Sequence, residues 1–166
     1  MPKIILDGAV AEDNWQILNE DAPTSLEEIG EGQFLLPLAS WNAMQAESKQ
    51  IPENLGLLLE STDTPEDIQG DISSIPVIAV NFPAFADGRG FSIGTLLRQR
   101  YAFTGQLRAV GKPIRDQLSY LVRCGFNAIQ LAEHYDPEKS LESLKDFSDA
   151  YQTAVDQSTP LFRRRG

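Results

Sequence analysis

From residue 34 onwards, short apolar runs alternate with segments whose apolar positions recur every three or four residues. The runs Phe34–Leu38, Leu55–Leu59, Pro76–Phe82, Gln106–Val110 and Ala128–Leu131 read as strands. The spacing predicts helices over Ser40–Lys49, Pro65–Ile72, Ser92–Tyr101, Pro113–Cys124 and Pro137–Tyr151. Thr64 and Ser92 are the expected caps of the second and third helices. Pro113 suits the opening of the fourth and Gly125 its left-handed close. Ahead of this series, Ile4–Leu6, Asp7-Gly8 and Ala9–Val10 read as a hairpin. It is expected to cover a sheet edge. Trp15, Ile17 and Leu18 follow as a short strand. Residues 19–32 read as an acidic loop with one helical turn at Ser25–Glu28.

About five β-α units in succession imply an α/β domain with a mainly parallel sheet. A doubly wound sheet is the expected architecture, with a partial (β/α) barrel as the alternative. The order of the strands is not written in any one segment. The 166 residues fit a single domain: an N-terminal part to residue 32, a β-α core over 33–151 and a polar tail over 152–166.

Charge changes the picture. The net charge of −10 disfavours general affinity for nucleic acid or an anionic membrane. It is unevenly spread. Residues 1–75 hold 15 acids against 2 bases, whereas residues 76–125 hold 7 bases against 2 acids. That asymmetry means either an acidic half packed beside a basic half, or an anion site in the middle segment. One cysteine rules out an internal disulfide and an all-cysteine zinc site. No run approaches the roughly 18 apolar residues of a membrane span. The N-terminus lacks the features of a secretory signal, so a cytoplasmic protein is expected.

In either architecture, functional groups belong beyond the carboxyl ends of the strands. The richest loop there is Asn81–Ser92, with Asp87, Gly88, Arg89 and Gly90 ahead of a helix. Free amides and an arginine at a helix start suit an anion. The competing reading is a tight turn in which Arg89 pairs with Asp87. Arg108 lies inside a strand and demands a partner if buried; Asp87 and Asp116 are the acids of that segment. Gly111-Lys112-Pro113-Ile114-Arg115-Asp116-Gln117 adds Lys112, Arg115 and Gln117 as ligand contacts. Asp116 suits a helix start, whereas Arg115 there favours a bound anion or an acidic neighbour. His134, the one histidine, follows a strand end near Glu133 and Asp136, with Glu60 on another strand end. Asp87, Asp116 and His134 are the candidate acid or base groups. Cys124 reads as a buried packing residue. Ser40 and Ser92 lack a nucleophile-elbow motif.

The block Asn81-Phe82-Pro83 through Phe85, Asp87-Gly88-Arg89-Gly90-Phe91-Ser92, Leu96-Leu97-Arg98, Gly105–Gly111, Arg115-Asp116-Gln117 and Arg123-Cys124-Gly125-Phe126 resembles an uncharacterised bacterial family. That family carries the provisional label "oxidoreductase probably involved in sulfite reduction". The resemblance implies an accessory role in assimilatory sulfite or sulfate reduction. It departs from the family after Gly111, where Lys112-Pro113 replaces the usual Asp-Val. The sequence holds no nicotinamide or flavin fingerprint, no siroheme ligand pattern and no iron–sulfur cysteine set. Three functions follow as expectations. The first is an accessory protein that binds a small anion or phosphorylated ligand. The second is a non-catalytic partner of sulfite reductase or its electron donor. The third is an independent acid/base enzyme. A homo-oligomer is compatible with each.

Overall fold

A computed structural model describes residues 2–19, 21–84 and 88–145. Eight strands form one sheet: β1 (Lys3–Leu6), β2 (Ala9–Glu12), β3 (Trp15–Ile17), β4 (Gln33–Pro37), β5 (Leu55–Leu59), β6 (Val77–Phe82), β7 (Gln106–Gly111) and β8 (Ala128–Ile129). Their order is β2-β1-β8-β7-β6-β5-β4-β3. Neighbours from β3 to β8 pair in parallel, and β1 pairs antiparallel with both β2 and β8. The hairpin therefore extends the sheet beyond β8.

This order corrects the doubly wound expectation. Strands β3 to β8 follow one another in space as in sequence, with no reversal. Right-handed crossovers that all step the same way deposit every helix on one face. The helices are α1 (Leu38–Glu47), α2 (Arg89–Gln99), α3 (Leu118–Arg123) and α4 (Pro137–Lys145). Trp41, Met44, Ile93, Leu97, Leu118 and Leu121 share one core with the strand residues Leu36, Leu57, Ile78, Val80 and Leu107. The opposite face carries a smaller cluster of Leu35, Leu58, Val77, Ala79 and Val110, with Trp15 against it and no helical residue. The sheet curls around this inner face as a half-barrel. The two edge strands, β2 and β3, are consecutive in the chain and joined by Asp13 and Asn14 alone.

Several local expectations shift. The helix over Pro65–Ile72 is instead two 3₁₀ turns, Pro65–Asp67 and Ile72–Ser74. The Thr64 hydroxyl bonds the Asp67 carboxylate and caps no backbone amide. Pro113 stands outside its helix, which starts with a 3₁₀ turn at Arg115–Gln117 before α3. Helix α2 begins at Arg89 with Gly88 as N-cap, so Ser92 lies within it. The reason is packing: a Cβ on Gly90 would stand 2.6 Å from the Phe82 ring, and α2 seats its first turn there. Gly125 closes α3 at φ 102°, as its position predicted.

Candidate functional site

The carboxyl ends of the parallel strands carry two adjoining hollows. One, about 460 Å³, lies over the ends of β3 to β7. Its walls are apolar, with Leu58 and Val110 among them, and its polar groups include Glu60, Asp63 and Asn81. The other, about 620 Å³, lies beyond β6, β7 and β8 and includes Lys112, Glu133 and His134. Gly111 lines both. Volumes of this order suit a small ligand. Another hollow, beside Trp41, Gln45 and Lys49, opens near the amino ends of β5 and β6.

Gly111 holds this mouth together for two reasons. Its φ of 92° is a conformation that L side chains rarely adopt. A Cβ there would also fall 2.2 Å from Asn81 Oδ1. The Asn81 amide thus rests against the Gly111 backbone and donates from Nδ2 to Glu60 Oε2 at 2.7 Å. The Glu60 backbone N–H donates to Asp63 Oδ2 at 2.8 Å, closing the turn after β5. The Lys112 N–H donates to the Phe82 carbonyl at 2.8 Å, which carries the loop away from β6. Lys112, Glu133 and His134 are exposed, and the His134 ring stands 4.1 Å from that of Tyr135.

The expected site residues separate into groups. Lys112 and His134 come together on one hollow. Arg89 lines neither of these hollows; its Nη2 donates to Ser61 Oγ at 3.2 Å. Gly88 and Ser92 line a different hollow, on α2 and α3, with Phe91, Thr95, Leu96 and Tyr120. There the Tyr120 phenol is pushed above its ordinary pKa, first by charge on Cys124, then by burial and a hydrogen bond with Cys124. Gly90 serves the packing of α2 on Phe82. Arg115 and Asp116 are exposed and line neither mouth hollow. The Gln117 side chain accepts from the Ile114 N–H at 3.1 Å. Asp136 caps α4 by accepting from the Glu138 N–H at 2.9 Å. Asp87 lies outside the described residues. Cys124 is buried, as expected.

Arg108 is buried, and its partner is Asp13 rather than Asp116. Nη1 meets Asp13 Oδ1 at 2.7 Å, while Nε and Nη2 both donate to Gln106 Oε1. All three guanidinium nitrogens are therefore held within the protein on the inner face of the sheet.

Sequence reasoning gave no role to Asn81 or Asp63. Asn81 left a signal, being the one polar residue in the otherwise apolar strand Val77–Phe82, near its carboxyl end. Among the described residues no group of three or more histidine, cysteine or acidic side chains could hold a metal. No described helix is long and apolar enough to cross a membrane.

A family model described as "Bacterial protein of unknown function (DUF934)" matches residues 56–162. No curated protein and no solved structure matches the chain.

Proposed function

The chain belongs to this DUF934 family of bacterial proteins, and we propose that it binds a small anion or phosphorylated ligand at the mouth of its half-barrel. The observation that carries the reading is the convergence of Lys112 and His134 on one hollow at the strand carboxyl ends. The mouth of a parallel barrel is where its loops present ligand contacts. The Lys112 ammonium supplies the charge and His134 a ring N–H donor. Sulfite, sulfate and adenylyl sulfates are anions, so an accessory role in sulfite or sulfate reduction is consistent with such a site.

Calorimetry with sulfite, sulfate, adenylyl sulfates and nucleotides tests this. Lys112→Ala is expected to weaken whichever ligand binds by about tenfold or more, the scale of one charge-assisted hydrogen bond. The affinity is expected to fall as salt rises. Folded protein that binds none of these, or a Lys112→Ala variant that binds unchanged, removes the proposal.

A further inference from the structure

The hollow that holds Glu60 differs in charge from the one that holds Lys112, Glu133 and His134. Its charged lining residues are Glu60 and Asp63, both negative, so it repels an anion and accepts hydrogen-bond donors. Glu60 is aimed as well as charged. The Asn81 amide is pressed against Gly111 and holds Oε2, while among the described residues nothing donates to Oε1. A carboxylate oxygen carries two acceptor sites, so the Glu60 carboxylate can still take several donors. Leu58 and Val110 give the same hollow an apolar wall suited to the carbon face of a ring.

The two hollows meet at Gly111. Glu60 follows β5 and Lys112 follows β7, two strands away, so their backbones stand on the order of 10 Å apart. A bare inorganic anion at Lys112 would leave the Glu60 hollow unused and would sit beside its negative charge. We infer that the ligand is a sugar phosphate or nucleotide. Its anionic group lies at Lys112 and His134, and its sugar hydroxyls donate to Glu60. This rests on the anion site proposed above and adds the class of molecule that carries the anion.

Titration of the full chain with inorganic phosphate, ribose, ribose 5-phosphate and AMP, followed by calorimetry, separates the two claims. Ribose 5-phosphate or AMP is expected to bind at least about tenfold more tightly than phosphate, because it adds charge-assisted hydrogen bonds to Glu60. Glu60→Gln is expected to abolish that advantage without weakening phosphate binding, because it removes a negative charge near the anion. Glu60→Asp, which keeps the charge but shortens the reach, is expected to lose part of it. Phosphate binding with no gain from the sugar overturns the inference and leaves the anion site standing. So does a gain that Glu60→Gln preserves. Silence to all four probes overturns both.

Discussion

Arg108 brings a full positive charge into the inner face of a sheet whose neighbouring groups include Val77, Ala79 and Val110. Removing such a charge from water costs several kcal/mol unless it is paired and hydrogen-bonded. Asp13 supplies the pairing, and the Gln106 side chain takes the remaining two nitrogens. Asp13 is itself 6% exposed and also accepts from the Trp15 N–H. Asp13→Ala is expected to destabilise the protein by about 3–5 kcal/mol, because it leaves the guanidinium buried without its counter-charge. The double variant Asp13→Leu with Arg108→Met is expected to be far less damaging, since neither ion remains. Urea denaturation of both variants checks this; equal losses would contradict the charge argument. The need for a partner was legible in the strand Gln106-Leu107-Arg108-Ala109-Val110, since a charge inside an apolar strand requires one. Its identity was not, because Asp13 lies 95 residues away and meets Arg108 only through the order of the sheet.

At the scale of elements, the end of α2 is tied to the starts of β7 and β8 by one side chain. Arg98 donates to the carbonyls of Phe103, Gly105 and Gly125, and its Nη2 reaches Asn127 Oδ1 at 3.3 Å. The guanidinium also lies 5.3 Å over the Phe103 ring. Burial lowers the Arg98 pKa and Asp7 raises it, yet an arginine remains charged. These three carbonyls come from the two loops that deliver β7 and β8 to the sheet, where no strand partner serves them. Arg98→Lys keeps the charge but loses the planar fork that reaches several carbonyls at once. It is expected to cost about 2–3 kcal/mol in urea denaturation, with two or more carbonyls left unsatisfied. An unchanged midpoint would show that water serves these carbonyls equally well. Strands β4 to β7 were legible because each is a short apolar run bounded by polar residues. The 3₁₀ turns at 65–74 and the early start of α2 were not. Thr64 and Ser92 have the chemistry of caps, but tertiary contacts decide: Thr64 turns to Asp67, and Phe82 draws Gly90 into the helix. The placement of Lys112 and His134 at the mouth was legible by position, each just past a strand end. Asn81 and Asp63 gain meaning only once β5, β6 and β7 stand side by side.

At the scale of the molecule, the curl of the sheet depends on the N-terminal hairpin. Strand β8 has two residues and owes one of its two neighbours to β1. The same segment then passes through Asp13 into β3, on the far edge, and Asp13 reaches across the inner face to β7. The uneven charge of the sequence finds one physical expression here, an acid of the first half inside the sheet with a base of the second. Two other acids of the first half, Glu60 and Asp63, line one hollow of the mouth, and Lys112 lines the adjoining one. The choice between a doubly wound sheet and a barrel could not be made from local pattern, because both use the same alternation and differ only in the direction of each crossover. A chain lacking residues 1–14 loses β1, β2 and Asp13 together. It exposes the edge of β8 and leaves the Arg108 charge buried unpaired. Such a chain is expected to keep its far-ultraviolet dichroism, lose its near-ultraviolet dichroism and self-associate, the behaviour of a sheet with secondary structure but no fixed packing. Adding Arg108→Met removes the stranded charge but not the open edge. It is therefore expected to restore part of the near-ultraviolet signal without abolishing association. A truncated chain that stays monomeric with native near-ultraviolet dichroism would mean that β3 to β8 hold their curl unaided.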